Sequence, residues 1–248
     1  MRINSISGNA PSRDVLSFFQ GKDAMVEHPD TESNTVWRYM DLPKFLDLIQ
    51  TSELYFTRLD QLADPYEHAI QTAACRRRPL DGETIYVNCW ILSEHESAAM
   101  WTIYGGNSGV AVQSSRWRIG SVLEPPWKLE GIEGFSSTAS GRVQYLDDKR
   151  IAALLTTTGE PPKNTVPVFN KRMSFSHEQE FRLAIGRKGE HQESSHLRLR
   201  VNLNDLIERI YVSPTAPGWI AKVARRAAEK YGIEKRVTHS ELLSLTLT

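Results

Sequence analysis

The chain predicts an α+β fold, mixed and built mostly of antiparallel sheets with peripheral helices, and two observations carry that prediction. Runs rich in β-branched and aromatic residues recur along the 248 residues, the strongest at 84–92 and 209–213. Amphipathic helical stretches separate some of these runs, while others are joined only by turn residues. No Gly-x-Gly-x-x-Gly, Walker or Gly-x-Ser-x-Gly pattern is present, and Gly105-Gly106-Asn107-Ser108-Gly109 follows a helix and precedes a strand, the reverse of a dinucleotide loop.

Residues 1–34 are polar and broken by Gly8, Pro11, Gly21 and Pro29, with a short helical candidate at 15–19. They are expected to form an N-terminal extension, with 35–248 a single α+β domain. Val36 to Met40 opens the domain as a strand. Asp41 caps the next helix, Pro43 fits its first turn, and Phe45, Leu46 and Ile49 supply an apolar stripe. A strand at 54–57 follows. Asp64-Pro65-Tyr66-Glu67 is expected to turn, because proline disfavours the helical region for the residue before it. The strand at 84–92 runs into Ser93-Glu94-His95-Glu96, whose capping-box spacing predicts a helix carrying Ala98, Trp101 and Tyr104 and stopped at Gly105-Gly106. Strands at 110–113 and 143–146, a helix at 148–155 and a break at Pro161-Pro162 come next. The strand at 178–185 is expected to return through a hairpin at 187–195 to a partner at 197–201. A strand at 209–213, a helix at 219–231 with Ile220, Val223, Ala227 and Tyr231 inward, a stop at Gly232 and an extended segment at 236–239 complete the chain.

Thirty lysines and arginines balance thirty aspartates and glutamates, so no global field selects a nucleic acid or an acidic membrane. A local basic face remains on the last helix, at Lys222, Arg225, Arg226, Glu229 and Lys230; it reads as either a solvated face or one that meets a phosphate backbone. Cys75 and Cys89 form no framework of bridges, and no stretch reaches the roughly 20 apolar residues of a membrane span. A cytoplasmic protein with no membrane partner is expected. The seven histidines lack ligand spacing, so no metal is expected.

The segment Ser176-His177-Glu178-Gln179-Glu180-Phe181-Arg182 carries the chemistry. If it is extended, Glu178, Glu180 and Arg182 share one face, and Phe181, Leu183 and Ile185 the other. Two ionised carboxylates so placed repel, which raises one pKa, while the guanidinium restrains that rise. The face is either a site or a solvated charge pair. Arg38, among apolar neighbours, wants an anion, either a carboxylate such as Glu67 or a ligand phosphate. Ser93 is either a site hydroxyl or a helix cap, and Trp101 and Tyr104 either an aromatic wall or core.

Trp37-Arg38-Tyr39, Leu54-Tyr55-Phe56-Thr57, Asp64-Pro65-Tyr66-Glu67, Cys89-Trp90, Met100-Trp101-x-x-Tyr104, Gly109-Val110-Ala111, Val143-x-Tyr145, Lys171 and Glu178-x-Glu180-x-Arg182 resemble, in that order, a bacterial family of unknown function numbered twenty-nine seventy-one. The match covers residues 36–240. The chain also resembles ADP-ribosyltransferases of the arginine-serine-glutamate class. That resemblance implies NAD as substrate, with Arg38 and Tyr39 on the cofactor side, Arg38 holding its phosphates, Ser93 the middle hydroxyl, Glu180 the catalytic glutamate and Glu178 the group that orients the acceptor. Trp101 or Tyr104 would stack on a ring. The Ser-Thr-Ser triplet of that class is absent around 89–93, and Thr57 competes for the hydroxyl role.

The resemblances imply an ADP-ribosyltransferase or NAD glycohydrolase acting as a bacterial toxin or phage-defence effector, with a protein or nucleic-acid acceptor and a cognate inhibitor. Two alternatives stand beside it. One is a non-catalytic binding or regulatory domain in which Arg38 and Glu180 form a buried ion pair. The other is a magnesium-dependent nucleic-acid-processing enzyme using Asp64, Glu67 and Glu180.

Overall fold

In the computed structural model, residues 34–77, 84–123, 132, 134–156, 167–188 and 194–244 are described. The strands in chain order are β1 (Thr35–Met40), β2 (Glu53–Arg58), β3 (Thr84–Leu92), β4 (Val110–Ser115), β5 (Phe135–Arg142), β6 (Gln144–Leu146), β7 (Asn170–Arg172), β8 (Glu180–Arg187), β9 (His196–Arg200), β10 (Arg209–Val212) and β11 (Val237–His239). The longer helices are α1 (Leu42–Thr51), α2 (Pro65–Arg77), α3 (Asp148–Thr156) and α4 (Gly218–Lys230). The fold class is as expected: one large, mostly antiparallel sheet, a small parallel β6–β7 pair and peripheral helices. Within the large sheet only β10–β11 is parallel. Among the described residues no helix is long and apolar enough to cross a membrane.

The architecture turns on β3. Along one edge it pairs with β8 from Thr84↔Arg187 to Ile91↔Glu180. Its other edge is shared: β2 takes Tyr86 and Val87, and β1 takes Ile91 and Leu92. The sheet therefore forks at residues 88–90, and the Asn88 amide fills the fork by donating to the Tyr55 carbonyl at 2.8 Å.

Side-chain alternation along β3 separates two environments. Tyr86, Trp90 and Leu92 join Val36, Met40, Leu183 and Ile185 in the main core, which α1 covers with Phe45, Leu48 and Ile49 and α4 with Ile220, Ala221, Ala224 and Ala228. Fully burying one such large side chain contributes about 1.5–3 kcal/mol. The opposite face carries Trp37, Tyr39, Ile91 and Trp101 at one end and Val87, Val168, Phe169 and Ala184 at the other, with a polar cluster among them.

Local signals account for most element ends. The Asp41 carboxylate accepts from the Lys44 amide at 2.8 Å, Pro43 sits in the first turn of α1, and Ser52 closes it in the left-handed region. Gly232, at φ 71°, ends α4 as expected.

Several expectations are corrected. Asp64-Pro65 starts a helix rather than a turn: Pro65 is the first residue of α2, where its missing N–H costs nothing, and the Asp64 carboxylate accepts from the Tyr66 amide. Ser93 opens no helix; Ser97 is the cap, accepting from the Met100 amide. A single α turn, 98–100, then passes into a π-helix, Trp101–Gly105. The expected β8–β9 hairpin is absent, since β9 pairs with β2 and β8 lies between β3 and β5. Strand β5 was not anticipated, because its Ser-rich sequence lacks the usual strand composition. On α4 the buried stripe runs through Ala221 and Ala224, leaving Val223 exposed. The helical candidate at 15–19 and the Pro161-Pro162 break lie outside the described residues.

Candidate active site

Glu178 and Glu180 do meet, but not by strand alternation. Glu178 is the last residue of a 3-10 segment, Met173–Glu178, and Gln179 then adopts φ 42° and ψ 51°, the left-handed region that a side-chain-bearing residue seldom occupies. That single residue re-aims the chain as β8 begins, so both carboxylates reach the same lysine. Such a conformation costs on the order of 1–3 kcal/mol and persists only where its surroundings hold it. Here the Gln179 amide donates to the Ser176 carbonyl, and its own carbonyl accepts from the Leu92 amide of β3.

Lys171, on β7, is the hub. Its Nζ lies 2.6 Å from Glu178 Oε2, 2.9 Å from Glu180 Oε1 and 3.7 Å from Glu67 Oε1. Arg182 closes the ring, with Nε donating to Glu180 Oε2 at 2.6 Å, Nη1 2.6 Å from Glu67 Oε2, and Nη1 also donating to the Val168 carbonyl. The five groups are 1–6 % exposed. Tyr104 is the member that reaches solvent: the residue is 43 % exposed and its hydroxyl donates to Glu178 Oε1 at 3.2 Å. The hydroxyl of Tyr145 accepts from the Glu180 amide at 2.8 Å, which pins the start of β8.

Electrostatics splits the carboxylate pair. Burial pushes Glu180 up, but Arg182, with Glu178 and Lys171, overrides it and holds the carboxyl down at about 2. Burial dominates at Glu178 and raises it, and its contact with Glu180 adds to the rise. Glu67 is raised by burial against the pull of Arg182 and Lys171. Burial works against the charge on Lys171, yet Glu180, Glu178 and Glu67 leave it raised. Two adjacent carboxylates whose values are pushed apart are the arrangement from which acid and base roles are drawn.

The π-helix explains how Tyr104 gets there. Trp101 points into the core, 3 % exposed, and Tyr104 emerges over Glu178. Closure of this segment requires glycine at two places: a side chain on Gly105 would meet the Trp101 ring at 2.9 Å, and one on Gly109 would meet the Gly105 backbone at 2.3 Å. π-helical turns occur often at functional sites.

The other expected site residues lie elsewhere. Trp101 donates to Glu96 Oε2 at 3.0 Å and packs edge-on against Tyr39, whose hydroxyl accepts from the Ser97 amide; both are core beside the site. The Ser93 hydroxyl is held in its own turn, donating to the His95 carbonyl. Thr57 pairs with Val87 and His196, outside the cluster.

Arg38 is the main correction. Trp37 pairs with Ile91, and Ile91 with Glu180, so these three share a face and Arg38, next in the chain, faces the other way. Its Nη2 donates to the Tyr55 carbonyl at 3.3 Å, and burial lowers it to about 10. It pairs with neither Glu67 nor Glu180, whose partners are Lys171 and Arg182.

From sequence, Lys171 and Tyr145 stand only as motif residues, and Glu67 only as a motif residue, a partner for Arg38 or a magnesium ligand. Only α2 as a helix turns Glu67 inward, and only β7 beside β6 brings Lys171 and Tyr145 to Glu180. Of the carboxylates considered for magnesium, Asp64 is taken by Arg172 at 2.9 Å, and the Lys171 ammonium occupies the space between Glu67 and Glu180. Among the described residues no group of three or more His, Cys, Asp or Glu is placed to hold a metal.

No family model and no curated protein matches the sequence. Two solved structures of DarT from Thermus sp. 2.9 are similar to the chain. The one in complex with ADP-ribosylated ssDNA shares 11 % identity over 86 % of this chain and 96 % of that chain, with a TM-score of 0.39. The one in complex with NAD+ shares 11 % over 86 % and 98 %, with a TM-score of 0.37. Similarity of this size assigns no residue a role.

Proposed function

We propose that the chain is an NAD-using ADP-ribosyltransferase or NAD glycohydrolase whose chemistry runs at the Glu178–Glu180 end of β8. The observation that carries this reading is the split pair: two carboxylates on one lysine, Glu180 held ionised at about 2 and Glu178 raised, under the half-exposed ring of Tyr104. Loss of nicotinamide leaves positive charge on the ribose. A carboxylate that stays ionised and is already fixed by cations stabilises that charge without reorganising at the moment of reaction.

Glu180 faces the developing charge in this reading. Glu178, the more easily protonated of the two, takes the proton from the acceptor, which is water in a glycohydrolase and a macromolecule in a transferase. Tyr104 offers its ring to the substrate on the way in. Arg38 and Ser93 take no part, and Tyr39 and Trp101 serve as packing behind the site.

One observation favours a second reading, a non-catalytic domain: the five charged groups are nearly buried and ion-paired with one another, as in an ion network that specifies a fold. Incubating the purified protein with NAD, with and without cell extract, and measuring free nicotinamide and ADP-ribosylated macromolecules separates the two. Nicotinamide release above the buffer rate supports the enzyme; none in either mixture supports the scaffold. A toxin or phage-defence role predicts growth arrest on expression that Glu180→Gln relieves.

A further inference from the structure

We infer that the exposed face of α4 and the segment after it form a docking surface for a single-stranded nucleic acid, on the opposite side of the sheet from Glu180. Between residues 222 and 236 stand six cations, Lys222, Arg225, Arg226, Lys230, Lys235 and Arg236, against two acids, Glu229 and Glu234. In a chain of zero formal charge this places a net charge of four on one edge. Some cations elsewhere on the surface are paired with acids, as in Lys44–Asp41, Arg118–Glu208 and Arg198–Asp47. Among the described residues none of the six has an acidic partner; Arg225 donates to the Val237 carbonyl, and Lys230 lies over Tyr231.

The surface also has an order. Trp219, Lys222, Arg226 and Lys230 follow one another at spacings of three, four and four, one stripe of a helix that spans about 16 Å from Trp219 to Lys230. Trp219 heads the stripe and is 61 % exposed. Cations that track a phosphate backbone beside an aromatic ring on which an unpaired base can stack are the two elements of single-strand binding. A lipid surface fits less well, because Ile220, Ala221, Ala224 and Ala228 are buried against the sheet and no apolar stripe is free to enter a bilayer.

The test is fluorescence anisotropy of the full chain with a labelled oligothymidylate, without NAD, so that the result is independent of the chemistry proposed for Glu180. Binding is expected at about 50 mM salt, weakening steeply towards about 200 mM with a slope of roughly −0.7 per phosphate neutralised. The triple variant Lys222→Gln, Arg226→Gln, Lys230→Gln should bind at least about tenfold more weakly and with a shallower slope, by roughly 2, while its thermal midpoint stays near that of the parent because the three side chains are exposed. Trp219→Ala should weaken the single strand about fivefold or more and leave duplex binding nearly unchanged. No binding at low salt, equal binding by the triple variant, or tighter binding to phosphatidylserine vesicles than to the oligonucleotide would overturn the inference.

Discussion

Arg182 and Arg38 flank the same strand, β3, from its two edges and face opposite ways, and the protein treats them differently. Arg182, 1 % exposed, meets Glu180 and Glu67 at 2.5–2.6 Å; burial pulls its charge down, but the Cys89, Glu180 and Glu67 side chains around it raise it overall. Arg38, half-buried in the fork, has one 3.3 Å hydrogen bond to a carbonyl and no carboxylate among the described residues, and burial lowers it. The identity of a residue therefore says less than its partners do. One arginine is the keystone of a charge network, and the other is a cation whose removal leaves no charge behind.

The largest effect expected from that contrast is on folding stability. Arg182→Met leaves the buried carboxylates of Glu180, Glu67 and Glu178 to share the single Lys171 ammonium and should cost about 3–5 kcal/mol in denaturant unfolding. Acid unfolding comes next. The folded value of Glu180, about 2, lies below the ordinary glutamate value of 4.5, so its contribution is complete above that value and is lost as pH falls towards 2. Glu67 and Glu178 are raised and act in the opposite sense, favouring the folded state when protonated and losing that gain as pH rises beyond the ordinary glutamate range. Stability measured against pH should therefore peak near or just above pH 4.5, and Glu180→Gln should flatten its acid side.

Smaller effects sharpen the comparison. Tyr104→Phe removes the hydrogen bond to Glu178 and should cost about 0.5–1.5 kcal/mol in the same unfolding measurement. Arg38→Met should change stability by less than about 1 kcal/mol, because no partner is orphaned, and should leave the KM for NAD within a few-fold of the parent. A tenfold rise in that KM would return Arg38 to the substrate and break the contrast.

The fold was legible where local chemistry decides it. Asp41 and Pro43 begin α1, Gly232 ends α4, and the apolar runs at 84–92 and 209–212 are strands. It was illegible where pairing partners decide it: nothing local says that β9 joins β2 rather than β8, or that the Ser-rich 135–142 segment finds an edge of β8. In the candidate site, the nearness of Glu178 to Glu180 is legible in their spacing, whereas the contact of Tyr104 with Glu178 comes from the fold. The role of Lys171 as hub and the pairing of Glu67 with Lys171 and Arg182 were not legible, since both residues reach the cluster only through elements whose direction is set by packing. Arg38 misled for the same reason: its polarity marked a special position, and only the β1–β3 register shows which face it takes.

The most direct measurement of the central claim is nicotinamide release from NAD by the parent protein and by Glu180→Gln, with circular dichroism confirming that both are folded. The account predicts measurable turnover by the parent and a loss of at least about 100-fold in the variant, the size expected when a fixed charge at the transition state is removed. Turnover by folded Glu180→Gln equal to that of the parent would contradict it.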